Sequence, residues 1–229
     1  EKIAALEVTE DSVVLASGVA ALSGVFFTFL KSGDHVITSK VTYIAVYRLL
    51  TEHLKDKYGI EATLVDTSDP EAVRAAIREN TKLIHIETPG NPTIGISDIA
   101  AISGIAREKG ILLSVDNTFA SPYLQRPAEL GADLTVESLT KYINGHGDAL
   151  GGAVSGKKEL IDRIRAEAMV NLGGAISPFN AWLIMRGAVT LPLRMRQHSE
   201  SALKIARFLK SNPAVRFVAY PRSEERRVG

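Results

Sequence analysis

The 229-residue sequence predicts an α/β fold built on a mostly parallel, seven-stranded sheet with helices on both faces. Three observations carry that reading. Seven short β-branched runs recur with helical patterns between most of them, and strand alternating with helix is the pattern of a parallel sheet. Several runs are almost continuously apolar, as in LLSV, which suits strands covered on both faces. The helical patterns, finally, have readable starts and stops.

In chain order, residues 1–8 read as a helix already under way at Glu1, so the chain reads as truncated there. The strands are expected at 13–17, 35–39, 61–66, 82–88, 111–117, 134–139 and 152–155. The first of them runs through Gly18 into a helix. Asp69 and Pro70 supply an N-cap and a first-turn proline for a helix through Ile77. Ser97 is the expected cap of the next helix, which Gly110 ends, and Ile99, Ile102 and Ile105 turn one apolar face toward the sheet. From Ser177 the alternation stops. Pro178 opens a helix to about Arg196 with a break near Pro192, and a second helix spans 199–211 before Asn212 and Pro213. An apolar stretch follows at 215–220. The expected organisation is an α/β domain over 1–171, a helical connection into a second domain over 172–221, and a charged tail without a role over 222–229.

Composition narrows the function. Twenty-seven basic and 26 acidic residues leave a formal charge of +1, so nothing marks the chain for nucleic acid or an anionic membrane, and a small molecule is the expected partner. The absence of cysteine removes disulfides, thiolate metal sites and a cysteine nucleophile together, and is compatible with a reducing cytoplasm. The most apolar stretch, 16–30, is too short and polar for a membrane span. Five histidines show no metal-ligand spacing; His85 reads as a core residue and His146 as part of a turn. Gly145, Gly147 and Gly151 do not have the dinucleotide-binding spacing.

In a parallel sheet, ligands bind beyond the carboxyl ends of the strands. Lys141 follows the sixth strand, beside Ser138 and Thr140 and ahead of a glycine-rich run. A lysine there has the makings of an amine nucleophile, and hydroxyls with glycines suit a phosphate, although a lone lysine is more often a solvated surface residue. Asp116 ends the fifth strand: such a carboxylate either caps a turn or meets a cation. Gly18 and Val19 open a helix whose first amides suit an anion, or simply form a capped turn at Ser17. Tyr43 suits stacking on a planar ring or a place in the core.

Taken together, SGVAA, VTY, ETPGNPT, DNTFASPYLQRP, ESLTKYINGHGD and MRGAVTLPLRM resemble the Cys/Met-metabolism pyridoxal-phosphate (PLP) enzymes, in order over residues 1–221. That resemblance implies an aspartate-aminotransferase-type (fold type I) domain and a homotetrameric cytoplasmic enzyme acting on sulfur amino acids. It implies that Lys141 carries PLP as a Schiff base and that Asp116 partners the pyridine nitrogen. Gly18, Val19, Ser138 and Thr140 would then hold the phosphate, Tyr43 would stack on the ring and assist the leaving group, and Asn91 would lie near the ring hydroxyl and the substrate carboxylate. Lyase, synthase or sulfhydrylase chemistry, or PLP binding without turnover, all remain open. Ile44-Ala45-Val46 departs from the small residues that usually follow the tyrosine, and the missing cysteine weakens the methionine γ-lyase assignment. The family's N-terminal arm and carboxylate-gripping arginine would fall before Glu1 and after Gly229.

Overall fold

The computed structural model describes residues 1–221. The tail expected at 222–229 lies outside the described residues. Strands β1 (Asp11–Leu15), β2 (His35–Ser39), β3 (Glu61–Val65), β4 (Thr81–Glu87), β5 (Leu112–Asp116), β6 (Leu134–Glu137) and β7 (Gly152–Gly156) form one sheet in the order β1-β7-β6-β5-β4-β2-β3. Six strands run parallel and β7 is antiparallel to both its neighbours. An antiparallel neighbour needs no crossover helix, and the segment joining β6 to β7 contains none. That segment carries Lys141. The first strand begins two residues earlier than expected and ends at Leu15 rather than Ser17.

The helices are α1 (Lys2–Glu7), α2 (Gly18–Phe29), α3 (Ile44–Arg48), α4 (Lys55–Tyr58), α5 (Pro70–Ala75), α6 (Ile99–Lys109), α7 (Ser121–Leu124), α8 (Lys158–Ile164), α9 (Pro178–Ala188) and α10 (Leu191–Lys210). A π-helical stretch, Leu49–Leu54, joins α3 to α4. Side chains alternate between the two sheet faces, as the pleat demands. Val36 and Leu83 join the core under α2, the π-helical stretch and α8, whereas Ile37, Ile84, Ile86, Leu113 and Val115 pack against α5 and α6 on the other face. A third cluster joins Leu139, Ile143 and Ala153 to Ile184, Ala188, Leu191 and Met195 of α9 and α10. The late helices therefore floor the lysine segment.

Three expectations need correction. The cap of α6 is Asp98, whose carboxylate accepts the Ala101 N–H at 2.9 Å, because Ser97 instead shares its hydroxyl with Thr67. The break expected near Pro192 is present at Val189 and Thr190, with Pro192 in the first turn of α10, where a missing N–H costs nothing. From there α10 runs unbroken to Lys210, so no separate helix begins at Ser199. The apolar stretch 215–220 forms no strand. Asp69 and Gly110 cap as expected.

Candidate active site

The carboxyl ends of β4, β5 and β6 and the start of α2 enclose a cavity of about 630 Å³. Gly18, Val19, Tyr43, Asn91, Asp116, Ser138, Thr140 and Lys141 all line it. Residues up to 123 positions apart thus meet at one sheet edge.

Each arrives by a local cause. Ser17 caps α2 by accepting the Ala20 N–H at 3.1 Å, and the N–H groups of Gly18 and Val19 precede the intrahelical ladder. A Cβ on Gly18 would stand 2.8 Å from Ser138 Cβ, so only glycine lets the helix start approach the β6 end this closely. Lys141 lies on a turn closed by its own N–H to Ser138 O (3.1 Å) and by Gly145 N–H to its carbonyl (2.7 Å). Thr140 Oγ1 is engaged with the Gly151 backbone, accepting from N–H at 3.1 Å and facing the carbonyl at 3.2 Å. Tyr43 is the residue ahead of α3, 40% exposed, and it opens onto the cavity rather than the core.

Asp116 is buried at the floor, where its Oδ1 accepts the Thr118 N–H at 3.0 Å. Burial raises its pKa, and no cation acts on it among the described residues. Beside it stands Glu87, its register partner on β4, which burial and Asp116 push up to about 7. Behind it, Glu137 and Glu7 are both buried, and each is raised chiefly by burial. The two acidic residues that line the cavity, Asp116 and Glu87, have no cation acting on them among the described residues, which suits a cationic ligand, and the open N-terminus of α2 in the same cavity suits an anionic one. A phosphorylated pyridine bears both charges, so these residues fit PLP, and the Lys141 amine lies in the same cavity.

Four further residues complete the walls. Phe119, Tyr142 and His198 are in edge contact, with centroids 6.2 Å and 5.7 Å apart for the two pairs. Arg194 of α10 donates to Tyr142 O (2.6 Å), Ile143 O (3.3 Å) and Gly187 O (3.0 Å), and so ties the lysine segment to α9. Phe119 belongs to DNTF, and Arg194 to the quoted MRGAVTLPLRM, yet neither had a role in the sequence reading. Glu87 opens ETPGNPT and ends an apolar strand, the same signal that singled out Asp116. His85 is in the core as expected, against Phe26 and Ser114, with one ring nitrogen unpartnered and its pKa pushed down to about 4 by burial. His146 closes a turn onto Asn144 O at 2.7 Å.

A family model for Cys/Met metabolism PLP-dependent enzymes matches residues 1–227. The chain belongs to that PLP-dependent family. Within it, the chain is 60% identical over 220 residues to a canavanine gamma-lyase of Rhizobium leguminosarum bv. trifolii (strain WSM2304), covering 96% of this chain and 55% of that protein. It is 46% identical to an L-methionine gamma-lyase of Porphyromonas gingivalis (strain ATCC BAA-308 / W83), covering 96% and 56%. The crystal structure of metB from Corynebacterium glutamicum superposes with a TM-score of 0.94 at 43% identity, covering 98% of this chain and 58% of that one. The fold is thus that of the type I PLP enzymes, and the chain spans a little over half the length of these relatives. Among the described residues no helix is long and apolar enough to cross a membrane.

Proposed function

We propose that this chain is the cofactor-binding part, 1–171, and adjoining helices, 172–221, of a PLP-dependent γ-lyase that eliminates a heteroatom substituent from the γ-carbon of an α-amino acid. The observation that carries this is one cavity holding an amine (Lys141), a buried carboxylate without a cation (Asp116) and an open helix N-terminus (α2). PLP, when bound, supplies an electron sink for charge that develops at the substrate Cα. Lys141 Nζ anchors the cofactor and serves as the base that holds and moves the Cα proton. Asp116 would favour the protonated form of a pyridine nitrogen held beside it, since an opposite charge within ~4–6 Å favours the charged form. Gly18 and Val19 N–H groups and the Ser138 and Thr140 hydroxyls would hold the phosphate; Tyr43 would stack on the ring and supply a proton to the leaving group, and Asn91 would orient the ring hydroxyl and the substrate carboxylate.

The substrates are first those of sulfur amino-acid metabolism: methionine, cystathionine or homocysteine, with the sulfur-free homoserine esters as their γ-oxygen precursors. The 60% identity to a protein named canavanine gamma-lyase favours a second reading, in which the leaving atom is oxygen. Synthase or sulfhydrylase chemistry would use the same residues. The full-length protein is expected to be a cytoplasmic homotetramer, sedimenting as such in ultracentrifugation; a strictly monomeric form would contradict it.

Two measurements test the reading. Borohydride reduction of the PLP-loaded protein followed by peptide mapping is expected to place the adduct on Lys141, with Lys141→Ala retaining weak, non-covalent binding at most. An adduct on another lysine removes the site. Product analysis of the full-length protein with methionine, cystathionine, O-acylhomoserine and canavanine then separates lyase from synthase and sulfur from oxygen.

A further inference from the structure

We propose that Glu87 is a positioning residue whose single carboxylate fixes both Tyr43 and Asn91 against the cofactor cavity. The inference rests on the reading above only in taking those two residues to flank the cofactor.

Glu87 is the last residue of β4 and is 7% exposed. Its two oxygens point to different segments. Oε2 accepts the Tyr43 N–H at 2.7 Å and the Thr42 hydroxyl at 3.3 Å, whereas Oε1 accepts the Asn91 N–H at 2.8 Å. Tyr43 stands just ahead of α3, after the β2 end, and Asn91 lies in the loop that follows β4, so one side chain joins two segments 48 residues apart in sequence. Above about pH 7, where Glu87 is ionised, bonds to it are about twice as strong as neutral ones, and two main-chain N–H groups are held this way. The residue also lines a neighbouring cavity of about 400 Å³, so it forms part of the wall between the two spaces.

Placing a second carboxylate beside Asp116 is unfavourable as electrostatics. Glu87 and Asp116 are register partners on adjacent parallel strands, and each is buried. For a loop staple alone, a neutral acceptor would avoid that repulsion. A glutamine, however, has only one acceptor oxygen; its amide would present N–H to one of the two main-chain donors. The carboxylate is the group that satisfies both segments at once, and its charge faces the same region as Asp116.

The test uses the full-length protein and Glu87→Gln. Hydrogen exchange of the apoprotein is the first readout. Peptides covering 41–47 and 89–95 are expected to exchange about tenfold faster in the variant in at least one of the two segments, the scale of one lost charge-assisted bond, with 139–145 unchanged. The second readout is the pH midpoint at which the visible band of bound PLP changes. It is expected to move down, because one negative charge that favours the protonated form is gone. If Glu87→Gln fails to fold, Glu87→Asp keeps the charge with a shorter reach and is expected to loosen one of the two segments. Wild-type exchange at both segments, or an unmoved midpoint in the glutamine variant, overturns the proposal. Exchange in the apoprotein does not depend on PLP. A wild-type protein that forms no adduct on Lys141 therefore sinks the functional reading while leaving the exchange result standing, and the reverse outcome sinks Glu87 alone.

Discussion

At the scale of single residues, Asp116 is the buried carboxyl of the cavity on which the proposed chemistry turns. It is held by burial and by Thr118, and among the described residues nothing cationic relieves it. Asp116→Asn keeps the shape and removes the charge. In the active full-length enzyme PLP is expected to bind still, and substrate Cα-proton exchange and elimination to slow by ~2–4 kcal/mol of barrier, the cost of losing one electrostatic stabiliser. Exchange of the Cα proton at the native rate in that variant would reduce Asp116 to a turn residue. The places of Lys141 and Asp116 in the cavity were legible because one follows and the other ends an apolar strand, where a parallel sheet gathers ligands. Glu87 obeys the same rule and was passed over, because its partners, Tyr43 and Asn91, are backbone donors that no side-chain pattern reveals. Arg194 and His198 were beyond reach for a different reason: they enter the cavity only through the packing of α10, more than 50 residues after Lys141.

At the scale of elements, the decisive contact is between the lysine segment and the late helices. Arg194 makes four hydrogen bonds, three to carbonyls and one from Nε to Thr190 Oγ1 at 3.0 Å, and no carboxylate takes part. Arg194→Lys replaces a planar fork by a point charge that cannot span those acceptors. Urea unfolding is expected to show a loss of about 2 kcal/mol, and borohydride trapping at Lys141 should become less complete; unchanged values in both would show the fork to be dispensable. Gly187 tests the same joint sterically. A Cβ there would lie 2.1 Å from Asn144 O, which belongs to the lysine segment, so Gly187→Ala must push α9 away. Its stability is expected to fall by more than that of Gly104→Ala, whose added Cβ meets nothing within 4 Å, a comparison that thermal melts decide. Helix boundaries were readable where a cap is a local affair, as at Asp69 and Gly110. They failed at Ser97 and at Ser199, since the hydroxyl chain through Thr67 and the unbroken run of α10 depend on tertiary neighbours.

At the scale of the whole molecule, alternation and apolar continuity were enough to read the seven strands and their mostly parallel sheet, while strand order and the reversal of β7 needed the folded chain. What the sequence did not disclose is the concentration of buried acid. Glu7 and Glu87 rise to about 7, and Asp116 and Glu137 are also raised, all chiefly by burial. Glu7 and Glu137 each have an oxygen without a conventional donor, and they bond to each other, as two buried carboxyls do when they share a proton. A carboxyl whose pKa is raised on folding contributes its full stability below about 4.5, where both states are protonated. That contribution is lost as pH climbs to about 7, because the unfolded chain gives up its protons first. Buried neutral His35 and His85 act oppositely, weakening the fold as pH drops below about 6.5, and Asp66, held near 2 by Lys40, matters only in stronger acid. Four raised carboxyls outweigh two histidines. Without PLP, the urea midpoint is therefore expected to be highest near pH 5 and to decline toward pH 7, at up to ~1.4 kcal/mol per pH unit for each proton retained by the fold. Glu137→Gln keeps the hydrogen-bonding shape and removes one titrating group, so its decline between pH 5 and 7 should be shallower than the wild type's. Parallel profiles for the two proteins would mean that Glu7 and Glu137 do not hold a proton between them, and that this buried pair is charged in the folded chain.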